Sequence, residues 1–146
     1  MSIMEPDVPP FYSLRGKNVL LATDGKPSSE KAMWVAIELS KQLGSKLVVL
    51  MVISDKLSDD EKKSQIREAK KKLNAIVDQA TDHGVDVTAL LEGGSPNETI
   101  VFAIERLNAG LLVVGTSEKS RLDRVLIGSV SEHVVRNSPC SVVVVK

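Results

Sequence analysis

Asn18-Val-Leu-Leu-Ala-Thr23 and Leu47-Val-Val-Leu-Met-Val-Ile53 are two apolar runs with no helical period, the pattern of strands buried on both faces. Between them, Asp24-Gly-Lys-Pro-Ser-Ser29 is a turn-rich loop whose serines can cap a helix. Ala32, Val35, Ala36, Leu39 and Leu43 then fall on one face at helical spacing, from about residue 29 to 43. Gly44 ends that helix as a C′ glycine does. Two strands joined through a helix predict parallel pairing.

The same alternation continues outward. A long helix is expected from about Asp59 to Asp82, with Ile66, Ala69, Leu73, Ile76, Val77 and Ala80 facing inward and His83-Gly84 closing it. Its basic residues, Lys62, Lys63, Arg67 and Lys70 to Lys72, are interleaved with Asp59, Asp60, Glu61 and Glu68, which reads as a solvated face. Val85 to Leu91 alternates in part, as a strand at a sheet edge would. Ser95-Pro-Asn-Glu98 opens a third helix with a capping-box pattern, and Ile100, Val101, Ile104 and Leu107 form its buried stripe. Ala109 to Val114 is a fourth strand, Gly128-Ser129 starts a helix running to about Asn137, and Ser141 to Lys146 is a last strand with four consecutive valines.

This order predicts a three-layer α/β/α sandwich around a five-stranded parallel sheet with right-handed crossovers. One domain accounts for residues 17–146, and residues 1–16 read as a proline-broken extension anchored by Phe11 and Tyr12. Hydrophobic residues at 42 % and charged residues at 26 % suit a globular chain. Nineteen basic residues balance nineteen acidic ones, so no global field draws the protein to nucleic acid or an anionic membrane. An aromatic content of 3 % argues against single-strand stacking as well. A single cysteine, Cys140, allows no disulfide framework within the chain, and His83 and His133 lack zinc-type spacing. The acidic, proline-bearing start does not resemble a signal peptide, and no apolar run is long enough to span a bilayer. The expectation is a cytoplasmic protein without membrane or nucleic-acid partners.

In an open parallel sheet, ligands bind beyond the carboxyl ends of the strands, where the winding direction reverses. With an order of 3-2-1-4-5, the first strand is central and the fourth lies beside it, so the loops at Thr23-Asp24 and Gly115 face each other across one crevice. The segment Gly115 to Ser131 carries Lys119, Arg121 and Arg124 against Glu118 and Asp123, a modest positive excess. Gly115 is expected to let the backbone turn and approach a ligand, and Gly128-Ser129 to offer free helix N–H groups to a phosphate. By spacing alone, these glycines serve equally as a plain turn and a plain helix start. Neither a Walker A sequence nor a G-x-G-x-x-G occurs in the chain.

Three stretches together, Thr23-Asp24-Gly25, Gly115…Gly128-Ser-Val-Ser-Glu-His-Val134 and Ser138-Pro-Cys-Ser-Val-Val-Val144, resemble the universal stress protein family in its single-domain form. The resemblance implies a Rossmann-like fold of the adenine nucleotide alpha hydrolase type. It also implies a nucleotide-binding pattern G-x2-G-x9-G-[S/T]. Gly115, Gly128 and Ser129 match that pattern, whereas the second glycine position holds Glu118, whose carboxylate would repel phosphates.

Carried over by position, Asp24 would contact the ribose or adenine, and the backbone of Ala22 and Val52 would frame the base. Gly115, Gly128, Ser129 and Val130 would hold ribose and phosphates, aided by Ser131, with Thr23 and Ser117 completing the set. The implied cofactor is ATP or AMP, with Mg²⁺ as companion ion, in a sensor or switch of the stress response. No histidine base or metal cluster falls near the crevice, so an enzyme is not expected. A phosphoacceptor receiver would need an acidic pair beside strand one and an aspartate ending strand three, where this chain offers Asp24 and Glu92. The alternative reading is a nucleotide-free homodimeric interaction module. The valine run Val142 to Val145 at a sheet edge favours self-association through the C-terminal strand in either case.

Overall fold

The computed structural model describes residues 14–116 and 129–146. In chain order the elements are β1 (Asn18–Ala22), α1 (Glu30–Leu43), β2 (Leu47–Ile53), α2 (Asp59–Asp82), β3 (Val87–Gly93), α3 (Pro96–Arg106), β4 (Ala109–Gly115), α4 (Ser129–Asn137) and β5 (Ser141–Val145). A short 3₁₀ turn, Pro27–Ser29, leads into α1. The sheet order is β3-β2-β1-β4-β5 and every pairing is parallel. This is the three-layer arrangement with β1 central and β3 and β5 at the edges.

Because strand side chains alternate with a period of two, the continuous apolar runs feed two separate cores. Val19, Leu21, Leu47, Val49, Met51 and Val113 pack against Ala32, Ala36 and Ile37 of α1 and Ala69, Leu73, Ile76 and Ala80 of α2. Leu20, Ala22, Val48, Leu50, Leu112 and Val114 pack against Ile100, Ala103 and Ile104 of α3 and Val134 of α4. Burial on both faces explains why Val19 to Ala22 and Leu47 to Ile53 show no polar positions.

Local chemistry sets the ends. Gly44 adopts φ 64°, and Ser45 N–H reaches Ser40 O at 3.0 Å, closing α1 in a Schellman-type turn. Ser58 Oγ accepts the Glu61 N–H at 3.3 Å and caps α2. The basic residues of α2 from Lys63 to Lys72 are exposed, as a solvated face requires.

Several sequence expectations are corrected. The buried stripe of α1 runs through Ala32, Met33, Ala36, Ile37 and Ser40, with the expected Val35 and Leu39 partly buried against the same core, while Leu43 is 43 % exposed. Small residues on that stripe let the helix lie close to the sheet, and Ser40 meets burial by donating to Ala36 O at 2.8 Å. β3 begins at Val87 rather than Val85, since the Val85 N–H is spent on Ala80 O in the α2 cap. Ser95 precedes α3 without forming the side-chain cap bond its sequence pattern suggested. His83 rests edge-on against Trp34, with ring centroids 5.2 Å apart, at the seam between α1 and α2. Among the described residues, no helix is long and apolar enough to cross a membrane.

Candidate functional site

The winding direction reverses between β1 and β4, and there the carboxyl ends of β1, β2 and β4 meet the first turns of α3 and α4 around a cavity of about 220 Å³. Ala22, Thr23 and Asp24 come from the end of β1, Val52 from β2, Gly115 from β4, and Ser129, Val130 and Ser131 from the start of α4. Eight residues singled out from sequence therefore line one cavity, although they span more than a hundred positions of chain. Ser117 and Gly128, together with Glu118, lie outside the described residues.

One wall is apolar. Leu50, Val52, Ile100 and Val114 face inward from β2, α3 and β4, with Pro96 at the first turn of α3. Leu50 is 1 % exposed and Ile100 5 %, so the wall doubles as the outer end of the α3/α4 core. Leu50, Pro96, Ile100 and Val114 were not singled out from sequence. The same-face alternation of Leu50 with Val52 was legible, but the approach of α3 depends on tertiary packing.

The backbone adds directed polar groups to this wall. Paired residues of β1 and β2 run from Val19↔Leu47 to Ala22↔Leu50, and Thr23 N–H donates to Leu50 O at 3.0 Å. Leu50 thus turns its carbonyl toward β1, and by the two-residue period Val52 turns its own N–H and C=O the same way. Those groups lie beyond the last rung, at the level where the chain leaves β1 through Asp24. A donor and an acceptor therefore stand side by side at the rim of an apolar slot.

The opposite lip is polar. Asp24 is exposed, and its Oδ1 accepts the Lys26 N–H at 2.9 Å. Ser131 is 4 % exposed and donates through Oγ to Gly115 O at 2.6 Å, tying the start of α4 to the end of β4. Thr116 N–H donates to Val145 O at 3.2 Å and holds the lip against β5. Ser129 is exposed at the helix start, where backbone N–H groups lack helical acceptors and the dipole favours negative charge.

Gly115 lines the cavity but does not supply the turn expected of it. It is an ordinary strand residue without positive φ, and a Cβ there would touch Ala32 Cβ at 3.5 Å and Ser29 Cα at 3.7 Å. Those are ordinary contact distances, so the start of α1 packs against this strand end without requiring a glycine there. The turn glycine is Gly25, with φ 71°.

Two other reactive side chains fall elsewhere. Glu92 sits on edge strand β3 and pairs with Arg106 of α3, apart from the cavity that Asp24 lines. Burial pushes the Cys140 thiol up from its ordinary pKa, so it is held in its less reactive protonated form. Among the described residues, no group of three or more His, Cys, Asp or Glu side chains is placed to hold a metal ion.

This geometry has close counterparts. A family model described as the universal stress protein family matches residues 16–146. A Staphylococcus aureus (strain USA300) protein provisionally called a universal stress protein is 37 % identical over 139 residues, covering 89 % of this chain and 84 % of its own. The universal stress protein UspA from Lactobacillus plantarum superimposes with a TM-score of 0.81 over 89 % of this chain and 97 % of its own, at 20 % identity, which speaks to the fold alone. A universal stress protein crystallised in complex with cAMP aligns with a TM-score of 0.71 at 26 % identity, over 89 % of this chain and 97 % of its own. With a matching model across nearly the whole chain and a relative at this identity, the chain belongs to the universal stress protein family.

Proposed function

We propose that the protein binds an adenine nucleotide, AMP or ATP, in the cavity between β1 and β4, and that it serves as a cytoplasmic sensor or switch in stress adaptation rather than as an enzyme. The observation that carries this reading is the N–H and C=O pair of Val52 at the rim of an apolar slot. Adenine presents an amino donor beside a ring acceptor on one edge, which complements such a pair, whereas guanine presents two acceptors there. The base then packs on Leu50, Val52 and Ile100, and the ribose falls beside the Asp24 carboxylate. Phosphates reach the start of α4 at Ser129 and Val130, with Ser131 securing that turn. The relative crystallised with cAMP supports the ligand class.

Asp24 is the one titratable side chain among the described residues of the lining. A lone carboxylate suits a ribose hydroxyl, or a Mg²⁺ ion shared with ATP phosphates, better than it suits acid–base catalysis, which needs a positioned proton-transfer partner. Mass spectrometry of the protein as purified tests the reading: retained AMP or ATP is expected. No retained nucleotide, together with no thermal shift at millimolar AMP or ATP-Mg²⁺, would sink it.

A second reading, a nucleotide-free homodimeric module, is favoured by two observations. Glu118 stands where the family's nucleotide-binding pattern has glycine, and Val142 to Val145 run along edge strand β5. A dimer that is indifferent to adenine nucleotides in both sedimentation and calorimetry would select this reading over the first.

A further inference from the structure

We infer that Thr23 and Ser29 are positioning residues of this site: their buried hydroxyls hold the turn that presents Asp24, and neither gives its proton to the ligand. Both line the cavity, at 9 % and 8 % exposure, so proximity alone would class them as ligand contacts. Proton accounting assigns them otherwise. A hydroxyl has one proton to give. Ser29 Oγ donates its proton to Lys26 O at 2.7 Å. In the 3.0 Å contact between the two hydroxyls, Thr23 Oγ1 is therefore the donor and Ser29 Oγ the acceptor. Thr23 Oγ1 also accepts the Gly25 N–H at 3.1 Å. Each hydroxyl thus gives and receives within the loop.

These bonds enclose Asp24. Its neighbour Gly25 is held from within by Thr23, and Lys26 is held through its carbonyl by Ser29 and through its N–H by Asp24 Oδ1. On the outer side the turn lies against the Lys72 and Met51 side chains, and Gly25 holds a φ of 71° that a side chain there would strain. On the inner side Ser29 backs onto Gly115, whose missing Cβ would lie 3.7 Å from Ser29 Cα. The carboxylate of Asp24 is exposed and has no packing of its own to orient it, so its direction follows from the turn. The same commitment explains why Ser29, sited as a helix cap, makes no side-chain cap bond to α1.

Two substitutions separate hydroxyl from shape. Thr23→Val keeps the branched side chain and removes the hydrogen bonds; Thr23→Ser keeps the hydroxyl and removes a methyl. The readouts are hydrogen exchange of the Gly25 amide and AMP affinity by calorimetry, both on the full chain well below its melting temperature. Thr23→Val is expected to lower Gly25 protection and AMP affinity each by about tenfold, the loss of roughly one buried hydrogen bond, with Thr23→Ser within about twofold of wild type.

Wild-type Gly25 protection in Thr23→Val would overturn the inference, and so would equal weakening of both variants. Lost protection with unchanged affinity would also overturn it, since the turn would then not govern the ligand. The affinity arm rests on the nucleotide reading. If the wild-type protein binds no AMP, that reading fails by itself, and the exchange arm still decides whether the two hydroxyls shape the turn.

Discussion

The two sides of the cavity are built on different principles. The apolar wall, Leu50, Val52, Ile100 and Val114, belongs to the same packed layer that holds α3 against the sheet. The polar lip, Asp24, Ser129 and Ser131, stands on loop and helix-start backbone fixed by a few hydrogen bonds. A wall residue cannot change without disturbing the fold, whereas an exposed lip residue can. On the nucleotide reading proposed above, base recognition by the wall would be tied to stability, and recognition of ribose and phosphate would be free to vary. Glu118, which departs from the family's nucleotide-binding pattern, is known here by sequence position alone.

The largest expected effect lies in the wall. Leu50→Ala should lower unfolding free energy by about 2–5 kcal/mol, read from urea denaturation, because a 1 % exposed side chain leaves a cavity behind. A loss below about 1 kcal/mol would break the claim that wall and core are one layer. Next in size, Asp24→Asn should weaken AMP binding by about ten- to a hundredfold through loss of a charged hydrogen bond. Stability should stay within about 0.5 kcal/mol, since the amide oxygen can still accept the Lys26 N–H. A parallel fall in stability would show that lip and wall are not separable.

Smaller still, Glu118→Gly should tighten ATP binding by about tenfold as one like-charge repulsion is relieved, measured by calorimetry. Unchanged affinity would show that this carboxylate is no obstacle. Ser131→Ala should cost about 1 kcal/mol in stability by freeing Gly115 O, with a modest loss of AMP affinity. An effect as large as that of Leu50→Ala would move Ser131 from the lip to the core.

Much of this was legible in the sequence, for stateable reasons. Doubly buried strands write themselves as unbroken apolar runs, and helices of this length between them force parallel pairing, so the layers followed from pattern. The order 3-2-1-4-5 was taken from what such sheets normally adopt and is fixed by the structure. Asp24 and Gly115 could be brought together because the reversal point of such a sheet is a property of topology. What pattern could not supply was choice among near-equivalent options. In α1, apolar residues occupy two adjacent stripes, and only the sheet selects Met33 and Ile37 over Leu43. Pro96 and Ile100 join the site through the packing of α3, which leaves no local mark. The commitments of Thr23 and Ser29 emerge only when every hydroxyl proton is accounted for. Ser117, Glu118 and Gly128 are outside the described residues, so their part in the site rests on sequence.

An adenine base held by the Val52 backbone at the mouth of an apolar slot is probed by titrating the ¹⁵N-labelled protein with AMP and with GMP. Saturable shifts of the Ala22, Val52 and Ser129 amides are expected with AMP, and markedly weaker ones with GMP. Equal response to both nucleotides, or AMP-induced shifts that bypass Val52, would contradict it.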